Sequence, residues 1–407
     1  MDIPRLFIDD YDFAGKRVFV RLDLNLPIKR GIVSDPSRAV MAVPTIKHII
    51  EQSPKSVVLA SHLGRPKGKV NAEFSLSQIC GLLSKLLGHP IQMLPDCVGE
   101  EVEAIVNGCA PGTVFLAENL RFHAEETGKK AEAEAITEFR RGLRALADVF
   151  VNDAFGTSHR AHSSMVGEFF DTRMGGFLLK KEIDSFGQVL NNPAKPYLAI
   201  VGGAKVSDKI LLIKSLSKMV DKIIIGGGMA YTFLKVINGM EIGKSLFDAK
   251  GAEIVPEIMA TCEENGTEVI FPVDFLAADD FSNDANTKVC TVEEGIPENW
   301  EGLDMGPASR ELVNEIITSC KTVVNNGPMG VAEFSTFAEG TRTVLRAMAT
   351  VTKNGGFTVI GGGDSASICR DLGLAPEISF ISTGGGASLE LLQGVDLPGI
   401  VSLSTKN

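Results

Sequence analysis

Two stretches of the sequence decide the fold class: RVFVRLDLNLP at 17–27 and YLAIVGGAKVSDK at 197–209. Each begins with a short, mainly apolar run and continues directly into polar residues or glycines. A short apolar run bounded by turn residues is typical of a strand that is buried on both faces of a parallel sheet. The two stretches therefore predict parallel β-strands whose carboxyl ends carry functional residues.

Similar runs occur along the whole chain, and segments of helical periodicity separate them. Apolar residues recur at spacings of three and four over 136–146 and over 254–262. This alternation predicts an α/β protein with Rossmann-like parallel sheets covered by helices. The other predicted strands are 56–60, 113–117, 148–151, 222–226, 268–272, 322–325, 357–361 and 379–382.

Length and composition limit the possible classes of protein. The chain has 407 residues, 44% of them hydrophobic, a mean hydropathy of +0.14 and a formal net charge of −11. At roughly 100–200 residues per domain, this length predicts two domains. Strong net acidity disfavours nucleic acids and membrane surfaces as partners. Seven widely spaced cysteines without a C-x-x-C indicate reduced thiols rather than a disulfide framework or a zinc motif, and no signal peptide or membrane span is apparent, so we expect a cytoplasmic protein.

The two halves of the sequence differ in the residues that could bind a ligand. All six histidines and most arginines precede residue 174, whereas the glycine runs lie mostly after residue 200. We therefore place the domain boundary near 184–196, where a helical pattern leads into NNPAKP. The first half is predicted to hold an anion with side chains, and the second to hold phosphates with backbone N–H groups.

In the first half, four successive predicted strands end in basic or polar side chains. Ligands of open α/β sheets bind outside the carboxyl ends of the strands, so these side chains are expected at one rim. Guanidinium groups suit a small molecule that carries both a phosphate and a carboxylate. The H-R-A-H sequence at 159–162 offers no cysteine or carboxylate that would complete a metal site. The rim residues are Asp23, Asn25, His62, Arg65, Arg121, His159, Arg160 and His162, with Arg38 in a following loop.

In the second half, glycine turns follow predicted strands and lead into helical segments. Backbone N–H groups at such turns can approach phosphate oxygens closely. Asp364, directly after Gly361–Gly363, could bind Mg²⁺, and Lys205 and Lys209 could neutralise a transferring phosphoryl group. The second half is therefore predicted to bind a nucleotide.

Nine motifs, in order along residues 17–393, resemble those of phosphoglycerate kinases. They are VRLDLNLP, SHLGRP, ENLRFH, NDAFGTSHRAHSSMVG, GGAKVSDK, GGGMA, NGPMGVAEF, GGGDSA and STGGGASLELL. The resemblance implies two lobes joined by a hinge and a reversible phosphoryl transfer between 1,3-bisphosphoglycerate and Mg-ADP, giving 3-phosphoglycerate and Mg-ATP. It further implies a phosphoglycerate-binding domain at 1–183, a hinge helix and linker at 184–196, a nucleotide-binding domain at 197–395, and a tail at 396–407 that returns to the first domain.

The resemblance also implies roles for individual residues. For the glycerate substrate they are Asp23, Asn25, Arg38, His62, Arg65, Arg121 and Arg160, of which Arg38 would reach the transferring group together with Lys205 and Lys209. For the nucleotide they are Gly203, Lys205, Gly227, Gly306, Asn326, Glu333, Gly362, Gly363, Asp364 and Ser365. Asp364 would hold Mg²⁺, and Gly384, Gly385 and Gly386 would face the transferred phosphoryl group.

The chemistry of this reaction suits the residues present. One phosphoryl acceptor is a carboxylate, which is ionised at neutral pH and needs no general base. Two alternatives remain: a nicotinamide-dependent dehydrogenase, which the missing G-x-G-x-x-G disfavours, and a non-catalytic nucleotide-binding paralogue. The family resemblance also implies a monomer.

Overall fold

The computed structural model describes residues 4–406, which form two compact units. One unit extends to Asp184 and includes the segment that begins at Asp396, whereas the other is Ser185–Val395. The boundary falls within the helix Phe177–Leu190. Each unit has its own six-stranded sheet.

The first unit alternates strands and helices along the chain. Its strands are β1 (Arg17–Leu22), β2 (Ile28–Lys29), β3 (Ile32–Val33), β4 (Ser56–Ala60), β5 (Gln92–Met93), β6 (Thr113–Leu116), β7 (Val149–Asp153) and β8 (Arg173–Gly175). Its helices are α1 (Ser37–Ile50), α2 (Ser77–Leu87), α3 (Glu100–Asn107), α4 (Ala124–Thr127), α5 (Ala133–Ala145), α6 (Ser163–Val166) and the first part of α7 (Phe177–Leu190).

The second unit repeats the alternation. Its strands are β9 (Tyr197–Val201), β10 (Lys222–Ile225), β11 (Glu268–Ile270), β12 (Asp274–Ala278), β13 (Thr287–Thr291), β14 (Glu301–Met305), β15 (Thr322–Asn326), β16 (Phe357–Ile360) and β17 (Phe380–Ile381). Its helices after α7 are α8 (Ile210–Ser217), α9 (Met229–Asn238), α10 (Ala249–Glu264), α11 (Pro307–Thr318), α12 (Glu339–Lys353), α13 (Gly363–Asp371) and α14 (Gly385–Leu392). Helix α15 (Pro398–Val401) belongs to the returning segment, and 3₁₀ turns occur at Ile8–Asp10, Ala72–Phe74, Leu120–Phe122, Phe155–Thr157, Ser335–Phe337 and Ala375–Glu377.

Both six-stranded sheets are entirely parallel, so the predicted fold class is confirmed. The first has the order β5-β6-β4-β1-β7-β8, and the second β11-β10-β9-β15-β16-β17. In each sheet the first strand of the unit is central, and the chain then builds outward on one side before crossing to the other. The strand order thus reverses between β1 and β7 and between β9 and β15, and ligand crevices of open α/β sheets form at such positions.

Burial on both sheet faces explains why the strand sequences are nearly continuous in apolar residues. In β1, Val18 and Val20 face the core that contains Ile46 of α1, whereas Phe19 faces the opposite core with Phe139 of α5. Every residue of β4, β7, β9 and β15 is buried. Alternate residues therefore supply two separate hydrophobic cores, one beneath each helical layer.

The structure also contains strands that the sequence does not predict. Strands β12, β13 and β14 form a separate antiparallel sheet in the second unit, β2 and β3 form a two-residue hairpin, and β5 and β8 are short edge strands. In β13 only Cys290 is buried, so its sequence lacks the apolar run of a strand covered on both faces.

The segment from Asp396 packs on the rest of the first unit through backbone hydrogen bonds. Gly399 N donates to Ser158 O at 2.9 Å, and Asn152 Nδ2 donates to Gly399 O at 2.9 Å. A Cβ atom on Gly399 would lie 2.9 Å from Ser158, so the close approach requires glycine. Among residues 4–406, no helix combines the length and apolarity needed to span a bilayer.

Candidate functional site

The carboxyl end of β1 brings together three of the predicted rim residues. Arg38 Nη1, in the first turn of α1, donates to Asp23 Oδ1 at 2.9 Å and to Oδ2 at 3.0 Å. Asn25 Oδ1 accepts from the backbone N–H of Gly64 at 2.8 Å, which links the loops that follow β1 and β4. Two neighbouring strands thus place Asp23, Asn25 and Arg38 at one position on the sheet edge.

A buried arginine lies directly beneath this rim. Arg21 is fully buried in β1, donates through Nε to Ser164 Oγ at 2.8 Å and through Nη1 to Leu22 O, and lies 4.0 Å from Glu126 Oε1. Glu126 is also fully buried and accepts from the N–H and hydroxyl of Ser164. Burial raises the pKa of Glu126, and the charge of Arg21 opposes this rise.

Arg21 also determines the state of His62. Its Nη2 lies 3.1 Å from His62 Nδ1, and because a guanidinium can only donate, Nδ1 is the acceptor and the imidazole proton lies on Nε2. Burial holds the pKa of His62 well below its usual value, and the charges of Arg21, Arg121, His162 and Arg38 lower it further. His62 is therefore a neutral hydrogen-bond donor at physiological pH.

Arg121 and His162 complete the positively charged cluster. Burial lowers the pKa of Arg121 to about 10 and that of His162 to about 3, and in both cases nearby cationic side chains contribute. Arg121 Nη1 donates to Gly64 O at 3.0 Å, whereas its Nε and His162 Nδ1 are buried without a hydrogen-bond partner among residues 4–406. Mutually destabilised cations with unsatisfied polar atoms indicate a site whose missing component is an anion.

Two predicted arginines lie at the surface around this cluster. Arg65 and Arg160 are exposed, and the charge of Arg65 contributes to the lowered pKa of Arg121, whereas that of Arg160 contributes to the lowered pKa of His162. Both side chains therefore lie close enough to add to the positive potential. The structure brings all seven predicted substrate residues to the carboxyl edge of the first sheet.

In the second unit, the glycine turns pack against one another where the strand order reverses. A Cβ atom on Gly202 would lie 2.0 Å from Pro328 O, and one on Gly327 would lie 2.5 Å from Gly202 O. A Cβ atom on Gly227 would lie 2.7 Å from Gly203 N. The turns after β9, β10 and β15 thus approach backbone to backbone, which only glycine permits.

Two helix N-termini meet beside these turns. Helices α13 and α14 begin at Gly363 and Gly385, and a Cβ atom on Gly385 would lie 3.5 Å from Gly363 N. Lys209 Nζ donates to Asn326 Oδ1 at the end of β15. Burial lowers the pKa of Lys209, whereas the charges of Asp208 and Asp364 oppose that change. The unpaired N–H groups of two helices and an ammonium group therefore converge, which favours phosphate binding.

The same position offers ligands that fit a magnesium–phosphate group. Asp364 lies in the first turn of α13 and is exposed, and Ser365 Oγ is buried with no hydrogen-bond partner in the described part of the chain. Carboxylate and hydroxyl oxygens are ligands that Mg²⁺ accepts. The residues present therefore fit the metal that the sequence predicts.

Three predicted nucleotide residues lie elsewhere in the second unit. Gly306 precedes α11, where a Cβ atom would lie 2.3 Å from the carboxyl carbon of Asp274. Glu333 is an exposed residue of the loop after β15, and Lys205 is an exposed residue of the loop after β9. The structure does not join these three residues to the convergence of α13 and α14, so their roles rest on the sequence resemblance.

Sequence reasoning missed Arg21 and Glu126. Arg21 is the charged residue within the otherwise apolar run VFVRL, and a charge in a strand buried on both faces requires a buried partner. That signal was present in the sequence. The identity of the partner was not, because Glu126 is 105 residues away along the chain.

These features define a class of protein: a nucleotide-dependent phosphotransferase built from two parallel α/β units. One unit carries a buried cluster of basic groups that lack a counter-anion, and the other carries glycine turns and helix N-termini suited to phosphates. Comparisons with known proteins agree with this class and make it specific.

A family model described as phosphoglycerate kinase matches residues 8–395. The phosphoglycerate kinase of Eremothecium gossypii is 54% identical over 410 residues, which cover 99% of each chain, and that of Saccharomyces cerevisiae is 52% identical with the same coverage. The solved structure of phosphoglycerate kinase from Coxiella burnetii has a TM-score of 0.86 at 37% identity and 98% coverage of both chains. That from Pyrococcus horikoshii has a TM-score of 0.79 at 30% identity and the same coverage.

The chain belongs to the phosphoglycerate kinase family. Its function is that of a glycolytic kinase, which transfers a phosphoryl group to or from a carboxyl group, and the predicted family and enzyme class are confirmed. The alternative of a non-catalytic paralogue is not favoured.

Proposed function

We propose that the first unit binds 3-phosphoglycerate or 1,3-bisphosphoglycerate and that the second binds Mg-ADP or Mg-ATP. The observation that carries this division is the contrast between two local sites. Arg121, His62 and His162 form a compact cationic cluster with unsatisfied polar atoms, which supports a small anion bound by side chains. The meeting of Gly363 with Gly385 supports phosphates bound by backbone N–H groups.

In the first unit, the non-transferring phosphate binds the basic cluster. Arg65, Arg121 and Arg160 provide charged donors, and neutral His62 donates from Nε2 because Arg21 occupies Nδ1. Asp23 and Asn25 contact the hydroxyl and carboxyl end of the glycerate. Arg38, which Asp23 orients, reaches the transferring phosphoryl group.

In the second unit, the nucleotide lies across the carboxyl edge of the sheet. Gly203, Gly227 and Gly306 line the adenine position, and Glu333 binds ribose. The β- and γ-phosphates lie near Lys205, Lys209 and Asn326 and at the N-terminus of α13, where Gly362, Gly363 and Ser365 contribute. Asp364 holds Mg²⁺, which when bound supplies positive charge against the nucleotide phosphates.

Catalysis then depends on position and charge. The acceptor carboxylate is ionised at neutral pH, so the reaction requires no general base. Arg38, Lys205, Lys209 and the N–H groups of Gly384–Gly386 stabilise the charge on the moving phosphoryl oxygens during in-line transfer. Since the two substrates bind to different units, hinge closure brings them together and excludes the water that would hydrolyse an acyl phosphate.

We further propose that the enzyme acts as a cytoplasmic monomer with small-molecule partners and without nucleic acid or membrane partners. Its seven cysteines are all free, which suits a reducing compartment. The net charge of −11 opposes binding to polyanions.

A coupled assay tests the proposed reaction. Purified protein is mixed with 3-phosphoglycerate, Mg-ATP, glyceraldehyde-3-phosphate dehydrogenase and NADH, with and without EDTA. We expect NADH loss that requires both substrates and stops with EDTA. Absence of turnover in a sample that still binds nucleotide by calorimetry would instead support a non-catalytic nucleotide-binding protein.

A further inference from the structure

A cysteine, a histidine and an aspartate meet at the edge of the first sheet, outside the proposed substrate site. Asp96 and Cys97 follow the edge strand β5, and His123 follows β6 and the turn Leu120–Phe122. Since β5 and β6 are neighbouring parallel strands, their carboxyl ends lie side by side. One potential ligand atom from each of the three residues lies within 4.8 Å of the other two.

The three side chains are already joined by hydrogen bonds to one carboxylate. Asp96 Oδ1 lies 2.7 Å from His123 Nε2, and the Cys97 thiol is also hydrogen-bonded to Asp96. Cys97 is buried, whereas the side chains of His123 and Asp96 are 28% and 43% exposed. Two protons therefore lie between three groups that all become metal ligands when those protons are replaced by a cation.

We propose that Asp96, Cys97 and His123 form a binding site for a thiophilic divalent cation of the Zn²⁺ class. Binding releases the thiol proton to solvent and uses His123 as a neutral ligand through Nε2, with its proton on Nδ1. The charges then balance, because a thiolate and a carboxylate neutralise the dication. A water molecule supplies the fourth position of a tetrahedral site.

The ligand types distinguish this site from the proposed magnesium site at Asp364. Thiolate and imidazole ligands favour Zn²⁺ and related ions, whereas Mg²⁺ favours oxygen ligands. Zinc bonds of roughly 2.0–2.3 Å require ligand atoms about 3–4 Å apart. The Asp96–His123 pair must therefore open slightly from 2.7 Å, which their partial exposure permits.

The surroundings of His123 favour the approach of a cation. His123 lines an open cavity of about 590 Å³ together with Glu100, Glu103, Glu125 and Glu138. Arg141 also lines this cavity and lies 3.6 Å from Glu138. Four carboxylates against one guanidinium leave a negative potential at the entrance, which raises the local concentration of divalent cations.

The environment of Cys97 argues against a reactive free thiol. Burial raises its pKa well above the usual range, and the charges of Asp96 and Glu126 act in the same direction. A thiol of this kind is a poor nucleophile and resists oxidation. Since a bound cation stabilises the thiolate directly, metal binding remains chemically accessible and should strengthen as pH rises.

Cobalt titration of the full-length protein, without nucleotide, glycerate or chelator, tests the proposal. We expect one equivalent of Co²⁺ to produce a thiolate-to-metal charge-transfer band and the intense visible bands of tetrahedral Co²⁺, both removed by Zn²⁺. Cys97→Ser should lose the charge-transfer band. His123→Asn should weaken Co²⁺ binding by at least about tenfold. Cys109→Ser, which changes a half-buried cysteine of the same unit, should behave like the unaltered protein.

The result is interpretable even where a buried substitution disturbs folding. Circular dichroism and thermal unfolding establish whether Cys97→Ser is folded, and the partly exposed residue Asp96, changed to Asn, provides a second variant. A wild-type protein without the charge-transfer band would overturn the proposal. So would a folded Cys97→Ser variant that keeps the band, or Co²⁺ affinities unchanged in both His123→Asn and Asp96→Asn.

Discussion

Arg38 Nη1 bridges both carboxylate oxygens of Asp23, at 2.9 Å from Oδ1 and 3.0 Å from Oδ2. Arg38 lies in the first turn of α1 and its side chain is 37% exposed, whereas Asp23 follows β1 and its side chain is 11% exposed. The more buried carboxylate thus orients the more exposed guanidinium while leaving its remaining N–H groups able to bind an anion. This arrangement supports a role for Arg38 at the transferring phosphoryl group.

Replacing Arg38 should therefore affect turnover more than substrate affinity. We expect Arg38→Ala to lower kcat by about 10²–10³-fold with a much smaller rise in KM for 3-phosphoglycerate, because the lost charge acts mainly in the transition state. Steady-state kinetics measures both constants. Arg141→Ala, which removes a 62% exposed arginine of the same unit, is the control. An unchanged kcat would remove Arg38 from the chemistry.

The proposed metal ligand can be tested through nucleotide binding. We expect Asp364→Ala to weaken Mg-ADP affinity by about tenfold or more and to leave 3-phosphoglycerate affinity unchanged, since the carboxylate belongs to the nucleotide unit. Isothermal titration calorimetry measures both affinities. Asp371→Ala, at the other end of α13, is the matched control. Equal Mg-ADP affinity in the two variants would contradict the assignment.

Two glycines separate the structural need for glycine from the phosphate-binding need. Gly202→Ala places a Cβ atom 2.0 Å from Pro328 O, so we expect a large loss of stability. A Cβ atom on Gly363 meets nothing within 4 Å, so Gly363→Ala should unfold like the unaltered protein and yet weaken ADP binding. Urea unfolding and calorimetry measure the two effects. The reverse pattern would refute this distinction.

Arg21 and Glu126 should be coupled in stability. Arg21→Met leaves Glu126 buried without its counter-charge, and we expect a loss of about 3–5 kcal/mol in the free energy of unfolding. The double variant Arg21→Met/Glu126→Gln should recover part of that loss, because it buries no uncompensated charge. Urea unfolding provides the double-mutant cycle. Strictly additive effects would show that the pair is not coupled.

Asp153 predicts a specific pH dependence of stability. Burial raises its pKa to about 6 from an ordinary value of 3.8, so the folded state favours the protonated acid. Its stabilising contribution is complete below about pH 4 and is lost as pH rises through about 6. Asp153→Asn cannot ionise, so its stability relative to the unaltered protein should increase by roughly 2–3 kcal/mol between about pH 4 and about pH 7.

Urea unfolding at several pH values measures this difference. Asp171→Asn, which changes an exposed carboxylate of the same unit, is the control. A stability difference between Asp153→Asn and the unaltered protein that stays constant with pH would show that Asp153 does not titrate in this range.

Most of the parallel framework was predictable because burial on both faces leaves a local signature. The predicted strands 17–22, 56–60 and 197–201 agree with β1, β4 and β9 to the residue. The antiparallel strand β13 was not predictable in this way, since only Cys290 of its five residues is buried. Its existence depends on pairing with β12 rather than on its own apolar pattern.

The sequence by itself determined the fold class, the family and the residue types at the strand ends. Local periodicity reports burial, and motifs are contiguous, so both can be recognised without any three-dimensional information. Only the tertiary structure decided which distant residues meet: Arg21 with Glu126, and Cys97 with His123. Such pairs depend on which strands become neighbours and on where their loops turn, and strand order is set by the packing of the whole unit rather than by any local stretch of chain.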